Sequence, residues 1–349
     1  DKLKTARRES APFVLHVRSA SGDEAQILAR AVIDASGTWT SPNPLGASGL
    51  PAPGERDLAR RLWYGIPDVL GTHHSRYAGK TTLVAGRGAS AFNTLIDLVK
   101  LAGQEPETRV IWTIRGTLDH RVFGGGEADQ LPERGALGQW VRRLVEGGKV
   151  QVYEHAGVTR LERAGDRITV YTGERTLGPV DEIVVTAGFR PDLSFLSELR
   201  LGLDPALEAP TSLAPLIDPN VHSCGTVRPH GAVELAHPEP DFYIAGMKSY
   251  GRAPTFLLLT GYEQVRSIAA ALAGDWEAAR EVRLVLPETG VCGTSSPSDS
   301  GVPCCIPDLE EATPSPLLIG QAATTVLAGA RERRRQPGLV TASSGCCNG

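Results

Sequence analysis

Short apolar runs of strand length recur along residues 12–280, separated by amphipathic stretches and by Gly- and Pro-rich turns. PFVLHVRS (12–19) half-alternates, Ser21-Gly22-Asp23 offers a turn, and ILARAVIDAS (27–36) follows, which predicts two strands joined by a turn. The second run closes at Ala35-Ser36-Gly37-Thr38-Trp39, and a loop rich in Pro and Gly covers 40–54. Thr81 to Ala85 is the next strand. Gly86-Arg87-Gly88-Ala89-Ser90-Ala91 leads from it into a helical pattern running to about Ala102, which Gly103 is expected to end. Thr108 to Ile114 is a second β-branched run, closed by Arg115, and completes a strand–glycine turn–helix–strand unit. A helix near 134–146 and strands near 149–153, 157–163, 167–172 and 180–186 follow. Glu182 to Thr186 runs into Ala187-Gly188-Phe189-Arg190-Pro191, and Asp241 to Gly246 is a further strand ending at glycine. Pro254 is expected to open a long helix that reaches Ala273 and stops at Gly274. Residues 286–349 read as a separate tail with one apolar helix candidate at 317–334. No internal repeat has a fixed period.

The chain has 349 residues, 41% hydrophobic and 22% charged, enough for two or three globular domains with a real core. A net charge of −4 gives no electrostatic case for nucleic acid or an anionic membrane surface. No run reaches the ~18 apolar residues of a spanning helix, and Asp1 to Ser10 does not read as a signal peptide. Its one methionine is Met247, so the sequence as given reads as processed, trimmed or part of a longer frame.

Gly86-x-Gly88-x-x-Ala91 has the form of a dinucleotide fingerprint, and its strand–helix–strand context is what makes it informative. Gly86 allows the tight turn, Gly88 leaves the backbone bare for a pyrophosphate, and Ala91 lets helix and strand pack closely. The helix N-terminus, with Ser90 in its first turn, offers free N–H groups to the phosphates. An acid at the end of the second strand would bond the ribose of NAD. Here that strand ends in Arg115, which suits the 2′-phosphate of NADP, with Arg87 adding to it. A solvated strand end is the plain alternative for Arg115.

The order of these pieces resembles the two-dinucleotide-domain flavoproteins. That group includes the flavin-containing monooxygenases, lysine/ornithine hydroxylases, low-molecular-weight thioredoxin reductases and the wider pyridine nucleotide-disulfide oxidoreductases. The resemblance is carried by Val32-Ile33-Asp34-Ala35-Ser36-Gly37-Thr38-Trp39, by His74 to Lys80 ahead of the glycine turn, by Thr186 to Asp192, and by Asp241 to Gly246 with the helix after Pro254. In its narrowest form it points to the flavoprotein monooxygenase-like group of bacterial arsenic-resistance clusters. It implies an α/β fold in which a Rossmann-like NAD(P)-binding domain is inserted into an incomplete FAD-binding domain, followed by a Cys-containing C-terminal tail. The implied divisions are 1–66, 67–190, 191–285 and 286–349. It implies FAD and NADPH as cofactors, with Gly37, Gly188, Gly246 and Arg252 beside the flavin. It also implies a small-molecule substrate, with oxygen as one acceptor. The family's first glycine fingerprint, which holds the FAD pyrophosphate, is absent. The CxxC of the thioredoxin reductases is absent too, as is the Phe-x-Gly of the monooxygenases upstream of His74.

The six cysteines do not form a secreted framework, so the cytoplasm is the expected compartment. Cys224 reads as a flavin-facing thiol or a buried small hydrophobe. The adjacent pairs Cys304-Cys305 and Cys346-Cys347 bridge poorly and could hold a soft ion such as arsenite, or have no role. No zinc spacing or GxSxG is present, and no catalytic residue is assigned. A homodimer is an open expectation. The rival to an NADPH-dependent flavoprotein oxidoreductase of monooxygenase type is a non-catalytic protein that binds NADP or a soft metal without flavin.

Overall fold

A computed structural model describes residues 2–124, 126, 132–222 and 227–284. The tail 286–349 with its helix candidate and Cys292, Cys304, Cys305, Cys346 and Cys347, and also Cys224, lie outside the described residues. The fold is mixed α/β.

Strands β1 (Phe13–Arg18) and β2 (Glu24–Ala29) form an antiparallel hairpin, with Phe13 opposite Ala29 and Arg18 opposite Glu24. β3 (Val32–Asp34) is not a continuation of β2. The apolar run 27–36 that reads as one strand divides at Arg30-Ala31. Its second half leaves the hairpin to pair with a strand more than 200 residues away.

After β4 (Leu62–Tyr64) and the short helix α1 (His74–Tyr77), the dinucleotide-type unit begins. It runs β5 (Thr81–Ala85), α2 (Ala89–Gln104), β6 (Arg109–Thr113), α3 (Pro132–Glu146) and β7 (Gln151–Tyr153). β8 (Val158–Ala164), β9 (Arg167–Thr172) and β10 (Thr176–Val180) make an antiparallel sheet of three, and the chain then returns as β11 (Glu182–Val185). The main sheet is parallel throughout, in the order β4-β11-β5-β6-β7. Alternation along its strands explains the layers. Val84, Trp112 and Val184 face Leu95 and Leu98 of α2 and Val141 of α3. Leu83, Ile111 and Ile183 face Leu161, Ile168 and Val170 of the three-stranded sheet. Such a doubly covered strand reads as a continuous apolar run rather than as an alternation.

The remaining part holds α4 (Ala214–Ile217), β12 (Phe242–Ile244), α5 (Leu258–Leu272) and α6 (Trp276–Arg280). β12 pairs parallel with β3, Phe242 opposite Val32 and Ile244 opposite Asp34.

Two helix boundaries differ from the sequence reading. Gly103 lies inside α2, and the helix ends at Gln104, with Glu105 as its cap in a nearly extended conformation (φ −120°, ψ 89°). Pro106 sets this end, because a residue before proline is driven out of the helical region. Pro254 does not open α5, which starts at Leu258 after an extended Leu257. Residues 251–257 instead serve packing: Phe256 lies edge-on to Tyr250, with ring centroids 5.1 Å apart. No helix among the described residues is long and apolar enough to cross a membrane.

Candidate functional site

The glycine turn stands where the chain path along the sheet reverses: β5 has β6 on one side and β11 on the other. Open parallel sheets form their ligand crevice at such a switch point, beyond the carboxyl ends of the strands. Gly86 is fixed here by two constraints. Its φ is +140°, and a Cβ on it would come within 2.3 Å of Thr186 Oγ1 and 2.5 Å of the Thr186 carbonyl oxygen. Thr186 is bound to the same place, its N–H and its hydroxyl both donating to Ala85 O at 2.8 Å. The Gly86 N–H donates to Thr113 O at 3.2 Å, and the indole N–H of buried Trp112 donates to Gly86 O at 2.6 Å. The turn is thereby held from β6 and from β11.

Gly88 is different in kind. It caps α2 in an extended conformation, and a Cβ there would meet nothing within 4 Å. The space above it is open, as a site for an approaching ligand requires. No side chain caps α2, so the first-turn amides, including that of Ser90, keep their donors for an incoming anion. Ala91 is fully buried at the contact of helix and strand. The exposed guanidinium of Arg87 reaches to 4.0 Å from where a Cβ of Gly116 would stand, and the stem of Arg115 lies over Gly157. Neither side chain has a hydrogen bond or ion pair with a described residue. Two unengaged cations thus flank an anion-ready helix terminus, a donor set that fits the phosphates of a dinucleotide carrying a 2′-phosphate.

A second group of turns gathers at the carboxyl ends of β3 and β12. Gly37, Gly188 and Gly246 each follow a strand end with positive φ, +72°, +84° and +70°. Lys248, 1% exposed, places Nζ 2.7 Å from Asp34 Oδ2, donates to Ser36 Oγ at 3.0 Å, and lies 4.4 Å from the Phe195 ring centroid. Asp34 Oδ1 accepts from the N–H and the hydroxyl of Ser36. Gln264 on α5 holds the turn after β12 from behind. Its Oε1 accepts the Gly246 N–H at 2.8 Å, and its Nε2 donates to Ser249 Oγ and to His230 Nε2, both at 2.9 Å. Burial pushes the His230 imidazole below its ordinary pKa, so the neutral ring is the stable form. Arg252 is exposed, its backbone tied to Leu207 O at 2.7 Å and its guanidinium without a partner among the described residues.

The structure therefore brings Gly86, Arg87, Gly88, Ser90, Ala91 and Arg115 to the carboxyl ends of the adjacent strands β5 and β6 and the start of α2. Gly37 and Gly246 lie at the ends of the paired strands β3 and β12, and Gly188 follows β11 beside the glycine turn. Sequence reasoning missed Asp34 and Lys248 as a pair, and Trp112, Gln264 and His230 as supports. The one local signal was a lysine placed two residues after a strand-end glycine. Among the described residues the turns after β3 and β12 hold no second glycine-turn helix for a second pyrophosphate. The described residues also contain no group of three His, Cys, Asp or Glu side chains placed to hold a metal ion.

No family model matches the sequence, and no curated protein matches it. Solved structures do share the fold. The Cu(II) complex of the HOCl-induced flavoprotein disulfide reductase RclA from Escherichia coli superposes with a TM-score of 0.51 at 13% identity, covering 76% of this chain and 48% of that one. The bacillithiol disulfide reductase Bdr (YpdA) from Staphylococcus aureus superposes with a TM-score of 0.50 at 18% identity, covering 75% of this chain and 70% of that one. The chain spans about half the length of the Escherichia coli protein.

Proposed function

We propose that this chain is the pyridine-nucleotide-binding part of an FAD- and NADPH-dependent oxidoreductase, with NADPH seated on the Gly86–Ala91 turn. The observation that carries the reading is the turn itself. Gly86 is locked by Thr186 and Trp112, Gly88 is open above, and Arg87 and Arg115 stand unengaged beside it. When bound, NADPH supplies a hydride to an acceptor. The protein's own part is to hold the pyrophosphate on the α2 amides and the 2′-phosphate on Arg115 and Arg87. The fold shared with flavoprotein disulfide reductases supports FAD as that acceptor. Beyond the flavin, the chain has no CxxC, which favours oxygen and a small-molecule substrate over a dithiol relay, hence monooxygenase-type chemistry.

Isothermal titration of the purified chain with NADPH and NADH tests the nucleotide site. A charge-assisted pair with the 2′-phosphate contributes ~1.5–3 kcal/mol, so NADPH is expected to bind roughly tenfold to a hundredfold more tightly. Arg115→Ala removes most of that preference and leaves NADH affinity nearly unchanged. Equal affinity for the two nucleotides in the unsubstituted chain rules the assignment out.

A further inference from the structure

We propose that Trp39 and Phe189 form an aromatic platform that receives the nicotinamide ring of the nucleotide held at the glycine turn. The inference rests on the nucleotide reading above and adds two specificity-determining residues to it. Trp39 is 75% exposed, an unusual position for an indole, whose burial is worth more than that of any other side chain. It does not stand alone. Its ring centroid is 5.3 Å from that of Phe189, at 56° between planes, so the two rings make an open wedge. The rings come from two different strand-end turns, Trp39 following β3 and Phe189 following β11.

The position of the wedge follows from the sheet order. Arg115 follows β6, on one side of β5, and marks where the adenosine 2′-phosphate goes. A dinucleotide centred on the Gly86–Ala91 turn must then lay its other half over β11, on the opposite side of β5. The residues that leave β11 are Thr186, Ala187, Gly188 and Phe189. Thr186 touches Gly86, and Phe189 is three residues on, at most about 10 Å along the chain. The first large side chain that the second half of the ligand meets is therefore Phe189, with Trp39 against it.

The wedge is preorganised. The Phe189 ring rests on Gly65, where a Cβ would stand 3.4 Å from its Cζ, and Trp39 folds back over Gly37 at the same distance. The segment between them is stitched to the β11 turn. Asn43 donates its N–H to Gly188 O at 2.9 Å and its Nδ2 to Ala187 O at 3.0 Å, and the Arg190 N–H donates to Ser41 O at 2.8 Å. Little ordering remains to be done when a planar ring docks. An oxidised nicotinamide is cationic, so an aromatic face attracts it electrostatically as well as by contact.

The test is titration of the full chain with NADP+ and with adenosine 2′,5′-bisphosphate, which carries the 2′-phosphate and one phosphate of the pyrophosphate but neither the nicotinamide nor its ribose. Trp39→Ala and Phe189→Ala are expected to weaken NADP+ roughly five- to thirtyfold each, while the bisphosphate stays within about twofold. Trp39→Phe should keep most of the NADP+ affinity. Trp39 is too exposed for its replacement to unfold the protein, so that variant decides the matter even if Phe189→Ala does not fold. Equal losses for both ligands, or no loss for either, overturn the platform. It is overturned too, with the nucleotide site left standing, if the unsubstituted chain binds NADP+ no more tightly than the bisphosphate. If neither ligand binds the unsubstituted chain, the nucleotide site fails and the platform falls with it.

Discussion

Gly86 and Gly88 are two residues apart and read alike in the motif, yet the structure gives them different tasks. An alanine at 86 would be strained by its φ of +140° and would drive Cβ into the backbone carbonyl of Thr186, which cannot step aside. Gly86→Ala is expected to destabilise the protein by at least ~1–3 kcal/mol. An alanine at 88 meets nothing, and its extended φ and ψ suit any residue. Gly88→Ala should cost under about 1 kcal/mol, since it only exchanges one weak cap for a poorer one. The same methyl would stand where a pyrophosphate approaches, so NADPH affinity should fall by about tenfold or more, ~1.4 kcal/mol. Urea titration beside calorimetry separates the two. If Gly88→Ala unfolds early, or binds NADPH normally, the division of tasks between the glycines is wrong.

At the scale of elements, α5 holds the turn after β12 through one polar network, and that network has a pH limit. His230 Nδ1 donates to Arg228 O at 3.0 Å, which leaves Nε2 to accept from Gln264. Protonation would set two donors against each other. Burial already holds the His230 pKa below its ordinary 6.5, with Glu234 opposing that shift through its charge. His237 is shifted down by burial as well. The folded state binds protons less readily than the unfolded chain, so this share of stability is complete above about pH 6.5. It is lost as the pH falls below that value toward the lower folded pKa. Urea midpoints measured from pH 8 to pH 5 should be level and then decline. His230→Gln, which cannot take up the proton, should make the decline shallower, and an unchanged slope would place the pH dependence elsewhere. Helix ends at this scale were only partly legible. The pattern located α2 and α5, but their limits depend on Pro106 and on the packing of Phe256 rather than on Gly103 and Pro254.

At the scale of the whole molecule, the Asp34–Lys248 pair joins two segments far apart in the sequence. It ties the turn after β3 to the turn after β12, 214 residues later, with both side chains buried. Removing one partner strands a charge. Lys248→Met should therefore cost ~3–5 kcal/mol, and Asp34→Asn with Lys248→Met should recover much of that loss, because Asn Oδ1 still accepts from Ser36. The urea midpoints of the two variants decide this. A double variant no more stable than Lys248→Met would show that the charge pair is not what holds the turns.

The amino-acid sequence by itself determined the elements whose information is local. The apolar run Thr81–Ala85, the glycines that follow it and the β-branched run closed by Arg115 announce a strand–turn–helix–strand unit, because turn chemistry and side-chain periodicity act over a few residues. The strand-end glycines Gly37, Gly188 and Gly246 were legible for the same reason. Tertiary structure alone decided what pairs with what. Nothing in ILARAVIDAS shows that the run divides, since Ile27 pairs within a hairpin and Ile33 pairs with Tyr243. Leu62–Tyr64 is too short to stand out, and becomes a strand because β11 offers it a free edge. Asp34 with Lys248, Trp112 with Gly86, and Trp39 with Phe189 are contacts between residues 26 to 214 positions apart. Their partners are chosen by the order of strands in the sheet, and that order follows from the combined burial of many side chains rather than from any one segment of the chain.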